Sequence, residues 1–182
     1  DVVRAAGETF ELGMSALGAA GNALVSYGQE GSSQGAELTH NLLQPVGGES
    51  GTLSGSLQVP GNVFSAGTAT ISDLSWNEVG ILELVAINQS YLGVSPGFNG
   101  VSGNVGRFVP DRFEITVLSG ELDPFCDSGT PFLYAGQTTG WLIPPELLIE
   151  AKGPGTYTAR NYTESGLMKL SSGSVIRSGT VK

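Results

Sequence analysis

Apolar and polar residues alternate with a period of two along much of this chain, and a helical period is nearly absent. Thr9 to Leu17 alternates cleanly, which predicts a strand with one face in a core. Glu37 to Leu42 alternates more weakly, and Ser54 to Val59 ends at Pro60, as an edge strand can. Thr68 to Leu74 alternates well, while Gly80 to Ile87 is the most apolar stretch and belongs at the centre of a sheet. Turn formers separate these runs: Gly18 to Asn22, Gly47-Gly48, Pro60-Gly61-Asn62 and Asn77 to Gly80. Short strands at this spacing predict an all-β chain, an immunoglobulin-like β-sandwich. Its expected core holds Phe10, Leu12, Met14, Ile71, Leu82, Leu84 and Val85. Neighbours such as Leu84 and Val85 point to opposite faces, so burying both requires a strand covered on both sides.

From Ser90 to Gly106 the chain is rich in turn formers and nearly uncharged, which predicts a long loop or linker. A new strand is expected from Arg107 through Phe113 to Leu118. We therefore divide the chain into a first sandwich over 1–104 and a second, truncated sandwich-like domain over 105–182. An internal repeat supports two related units. At an offset of 135, Glu11, Leu12, Ala16, Gly18 and Tyr27 match Glu146, Leu147, Ala151, Gly153 and Tyr162. Upstream, Ala6-Gly7-Glu8-Thr9 resembles Ala135-Gly136-Gln137-Thr138, with an insertion near Gly140-Trp141-Leu142. The shared unit is a strand, a Gly-rich turn and a Tyr. After Tyr162 the second copy lacks room for strands equivalent to Thr68–Leu74 and Gly80–Ile87. Arg107–Leu118 is expected to complete its sheet, so that deleting 107–118 would unfold 125–182 and spare 1–100. The chain starts at Asp1 and stops at Lys182 without a closing element, and reads as a segment of something longer.

Composition narrows the function. Charged residues are only 14%, with 28 glycines, which favours strands and tight turns over surface helices. A net charge of −9 with eight scattered Lys and Arg excludes the basic stripe that nucleic acid requires, and disfavours an anionic membrane surface. No apolar run approaches a bilayer span, so membrane insertion is not expected. The single cysteine, Cys126, cannot form an internal disulfide and reads as a loop thiol. His40 has no second ligand at zinc spacing. The carboxylates of Asp73, Glu78, Asp111, Asp123 and Asp127 read as solvated loop charges without a calcium-loop pattern. No nucleophile elbow or phosphate loop occurs in a strand–helix setting. No catalytic residue, cofactor or metal is therefore expected. Trp76 is expected in the core. Trp141, Tyr157 and Tyr134 are the candidate residues for stacking on a ligand, should they share one face. Tyr27 and Tyr162 each follow a turn, and a buried Tyr there can bond back across a sandwich corner.

Several blocks resemble an uncharacterised bacterial family. Gly106-Arg107-Phe108-Val109-Pro110-Asp111-Arg112-Phe113 is similar to its Gly-Arg-Phe-x-Pro-Asp-x-Phe signature. Cys126, Tyr134-Ala135-Gly136-Gln137, Ala159-Arg160-Asn161-Tyr162, Gly7-Glu8-Thr9-Phe10 and Glu78-Val79-Gly80 also resemble family positions. Thr138-Thr139 and the Trp141 insertion depart from the family's usual Pro-Phe after Gly-Gln. The family includes MshQ, encoded with the biogenesis cluster of the MSHA type IV pilus. The resemblance implies an extracellular or outer-membrane-associated place in a Gram-negative bacterium, and a pilus or adhesion context. It carries no catalytic or binding residue. The expected function is a non-enzymatic structural or adhesive module, whose partner is a pilus or envelope protein or a surface glycan. An exposed loop patch from Tyr91 to Phe98 would serve such a partner. The alternative is a carbohydrate-binding module.

Overall fold

A computed structural model describes residues 3–95, 97–124, 129–163 and 167. The described chain is all-β, with one 3₁₀ turn at Gly61–Val63. Its strands are β1 (Arg4–Ala5), β2 (Thr9–Ser15), β3 (Ala36–Gln44), β4 (Leu53–Ser54), β5 (Gln58–Val59) and β6 (Thr68–Trp76). They continue with β7 (Gly80–Ile87), β8 (Asn99–Val101), β9 (Val105–Val109), β10 (Arg112–Leu122) and β11 (Trp141–Lys152). One sheet runs β2-β6-β4; the other runs β1-β9-β7-β3-β5, with β8 also on β7. Both sheets supply the same core. Phe10, Ile71, Leu74 and Trp76 from the first meet Leu38, Val59, Leu82, Leu84 and Phe108 from the second. The result is a β-sandwich, its apolar faces turned inward as alternation dictates. Trp76 is fully buried at its centre, 5.2 Å from Phe108, with Nε1 donating to the Ser50 carbonyl at 2.9 Å.

The strands read from alternation are present within a few residues, and β7 is central as expected. Of the expected core, Phe10, Ile71, Leu82 and Leu84 are buried, with Leu12 and Met14 packed against them. Val85 is only half-buried, because it faces away from the sandwich interior on the side opposite Leu84. Ser54–Val59 is not one strand. Gly55, at φ +116°, breaks it, so β4 pairs with β6 and β5 with β3, in different sheets. The expected loop over 90–106 contains β8, which pairs Val85 with Val101, and the start of β9. Pro110 divides the strand expected from Arg107. Residues before it form β9, which pairs with β7 and lies parallel to β1. Residues after it form β10, which pairs with β11.

β10 and β11 make a two-stranded ribbon, with Arg112 opposite Lys152 at its root and Leu122 opposite Trp141 at its tip. Next to it the repeat acquires a geometric form. Leu17 bridges Ala23, and 135 residues later Lys152 bridges Thr158. Leu24 donates to the Ala16 carbonyl at 2.9 Å, and Ala159 to that of Ala151 at 2.9 Å. Gly18 donates to the Asn22 carbonyl, as Gly153 does to that of Tyr157. Both copies thus end a strand in the same hydrogen-bonded turn.

Candidate functional site

The turn between β6 and β7 is the sequence Asn77-Glu78-Val79. It enters β7 at Gly80, φ +145°, where a Cβ would collide with the Gln44 carbonyl oxygen. This tight crossing between sheets drives the Glu78 side chain inward, where it is 0% exposed. The loop-charge expectation is corrected for this residue. Its carboxylate accepts four hydrogen bonds: Val79 N–H at 2.8 Å, Tyr157 O–H at 2.9 Å, Arg160 N–H at 3.0 Å and Asn161 N–H at 3.2 Å. A buried carboxylate is tolerable only when its lone pairs are so occupied. Asn161, also buried, completes the clasp. Its Oδ1 accepts from Glu49 N–H at 2.7 Å, while Nδ2 donates to the carbonyls of Glu49 and Val79. Gly48 beside it has no room for a Cβ, which would strike Asn161 Oδ1. The turn after β11 is therefore pinned to the sandwich by polar groups far apart in sequence.

The segment Gly106–Phe113 forms the other half of this junction. Phe108 fills the sandwich core, Pro110 ends β9, and Asp111 N–H donates to the Lys152 carbonyl at 2.8 Å. Arg112 donates to the carbonyls of Gly153 and Gly155, holding the turn after β11. Phe113 sits 5.5 Å from the Tyr162 ring. Lys152 is buried at the ribbon's root, where its ammonium meets Glu150 at 3.3 Å and Glu114 at 3.4 Å. An open hollow of about 440 Å³ borders the clasp between Pro45–Glu49 and Arg160–Thr163.

A model of the second domain of DUF6701 matches residues 1–73, and a model of its third domain matches residues 78–181. The chain belongs to the DUF6701 family. Neither a search of curated proteins nor one of solved structures finds a match. The two family matches meet at the turn that carries Glu78, and the sandwich core is built from both. Phe10, Leu38 and Ile71 come from one, Leu82, Leu84 and Phe108 from the other.

In this DUF6701 chain the stacking candidates Tyr157 and Trp141 stand near opposite ends of β11. Tyr157 is partly buried at the root of the ribbon, donating to Glu78. Trp141 is exposed at the far end of the twelve-residue β11, about 36 Å along the strand. Tyr134 is exposed and packs edge-on against Phe132 at 5.3 Å. Tyr91 is not a free loop aromatic. It stacks at 5.7 Å on buried Tyr27, and its hydroxyl donates to Glu30 at 2.6 Å. Leu92, Val94 and Phe98 nearby remain exposed. Asp73 lies in β6 rather than a loop, and bonds from the Ser56 hydroxyl and N–H hold its carboxyl below the usual carboxylate range. Cys126 and Asp127 lie outside the described residues. Among the described residues no three His, Cys, Asp or Glu are grouped to hold a metal ion. No described helix is long and apolar enough to cross a membrane. Asn88-Gln89-Ser90 and Asn161-Tyr162-Thr163 fit the N-glycosylation pattern by chance, and Asn88 and Asn161 are both buried.

Burial, and then the bond to Glu78, push the Tyr157 phenol up to about 12. A folded-state value above the ordinary 10.0 means the folded chain holds this proton more tightly. The stabilisation is complete below pH 10 and disappears as pH rises through about 12. The denaturation midpoint should therefore hold steady to about pH 9 and fall above it. Tyr157→Phe should make that fall shallower, with the remainder due to Tyr27 and Tyr91, which are raised in the same sense. An identical alkaline profile in the variant would contradict the assignment.

Proposed function

We propose that this chain is a non-enzymatic structural module, a joint between consecutive β-sandwich units in a bacterial surface protein. The observation that carries this reading is the clasp: one buried carboxylate takes hydrogen bonds from three residues of the turn after β11. A joint that transmits orientation along a stalk requires such fixed polar contacts, because apolar packing alone permits sliding. The Gly106–Phe113, Glu78–Gly80 and Ala159–Tyr162 blocks all contribute to this junction. The two-sheet β-sandwich supports reading the chain as an immunoglobulin-like module. The Gly106–Phe113 block is the ground for a place beside MshQ, in an envelope-bound, pilus-associated or adhesive setting. The partner would then be a pilus or envelope protein.

In bacteria producing the full-length protein, Asn161→Ala should leave surface labelling unchanged and reduce adhesion. Unchanged adhesion would remove the joint from the function. A glycan array probed with the purified chain should stay blank. A glycan signal abolished by Trp141→Ala would favour a carbohydrate-binding module instead.

A further inference from the structure

The repeat relates two turns that stand in different surroundings. At the offset of 135, Asn22, Val25 and Ser26 correspond to Tyr157, Arg160 and Asn161. Those last three hold the Glu78 carboxylate, Tyr157 through its hydroxyl and the other two through successive backbone N–H groups. The two turns share one frame: the Leu17–Ala23 and Lys152–Thr158 bridges, and the bonds from Leu24 to Ala16 and from Ala159 to Ala151. The first turn lies at the other end of the sandwich. β2 runs from Thr9, opposite Ser75, to Ser15, opposite Thr68, and so carries its turn away from Trp76 and Glu78.

In the first turn the corresponding donors are unused. Tyr27 N–H donates to the Leu24 carbonyl at 2.9 Å, which makes Val25 and Ser26 the central residues of a β-turn. Their own N–H groups have no hydrogen-bond partner among the described residues. Asn22, Val25 and Ser26 are all exposed. Glu30, the carboxylate closest along the chain, is engaged by Gly28 N–H and Tyr91 O–H. Successive backbone N–H groups in a turn form a concavity for an anion, and the second turn shows a side-chain carboxylate in that place. The apolar surroundings agree. Beside the held carboxylate, Val79 packs on Ala151 and Ala159, and Ala159 is 5% exposed. At the position of Ala159 the first turn has Leu24, 42% exposed, with Leu17 and Val25 exposed on either side.

We propose that the Leu17–Ser26 turn is a second docking surface, which receives a turn of another β-sandwich unit through a Glu or Asp side chain followed by an apolar residue. The inference rests on the joint reading and extends it to the opposite end of the sandwich. The source is a neighbouring unit of the full-length protein rather than a second copy, whose Glu78 already has its four donors. The test compares hydrogen exchange in the 182-residue chain and in the full-length protein. Val25 and Ser26 amides should exchange about tenfold more slowly in the full-length protein, with 157–162 equally protected in both. Val25→Pro removes one donor at a turn position that suits proline, and should return Ser26 to the rate of the 182-residue chain. Val25→Asp, which keeps the N–H and sets a like charge beside the site, should do the same. Equal exchange of Val25 and Ser26 in the two proteins would overturn the proposal and leave the clasp at Glu78 standing. Protection that survives both variants would overturn it too, since the turn would then be covered through other contacts. Protection in the 182-residue chain that rises with its concentration would overturn it in favour of a second copy. Loss of protection at 157–162 in the full-length protein would remove the joint reading and this inference with it.

Discussion

Phe108→Ala is expected to lower stability by about 3–5 kcal/mol, among the largest losses from any single truncation in this chain. The ring is 0% exposed and stands between Phe10 at 5.7 Å and Trp76 at 5.2 Å. Its removal leaves a cavity that neither ring can close without tilting off its partners, and the cost of a core truncation grows with the cavity left behind. Phe113→Ala five residues later is the internal control. Phe113 is 42% exposed, its described ring contact is Tyr162, and its loss should cost about 1 kcal/mol or less. Denaturant midpoints read from tryptophan fluorescence distinguish the two. Equal effects would mean that β9 is not part of the first sandwich's core. The same residue corrects the deletion expected from sequence. Removing 107–118 takes Phe108 with it, so residues 1–100 should lose their fold together with the ribbon.

Glu78→Ala should cost on the order of 3 kcal/mol or more, by a different mechanism. The Tyr157 hydroxyl and the Arg160 and Asn161 N–H groups would lose their acceptor, and each buried unsatisfied group costs about 1–3 kcal/mol. Glu78→Gln preserves volume and one acceptor oxygen but turns an amide N–H₂ toward other donors, so it should fall between wild type and alanine. The loss should concentrate in 157–162, whose hydrogen-exchange protection should drop further than that of β7. If protection falls equally everywhere, or if alanine costs no more than a surface substitution, the clasp does not hold the junction.

Both expectations turn on side chains whose meaning differs between the linear chain and the folded one. Alternation was enough to find β2, β3, β6 and β7, and to place Leu82 and Leu84 in the core. A strand's two faces are set by consecutive residues, so the signal is complete within the segment that carries it. The repeat was legible for the same reason, since a strand ending in a Gly-rich turn is a local object. Ser54–Val59 and Arg107–Leu118 looked continuous because a strand pattern does not record which sheet it joins. Gly55 and Pro110 break them where the chain changes partners.

Glu78 marks the limit more sharply. In the sequence it is a carboxylate in a turn beside a glycine, and such residues are ordinarily solvated. Its burial depends on Tyr157 and Asn161, 79 and 83 residues away, which occupy its lone pairs only once the turn after β11 has docked. Val85 shows the converse, an apolar residue in the most apolar strand that faces outward because the sandwich covers only the side Leu84 faces. The local chain by itself determined that these segments are strands, and which residues share a face. Which face is buried, where β9 belongs and how a charged side chain can lie in the interior were decided by the tertiary structure, because the energies that set them are exchanged between residues the sequence holds far apart.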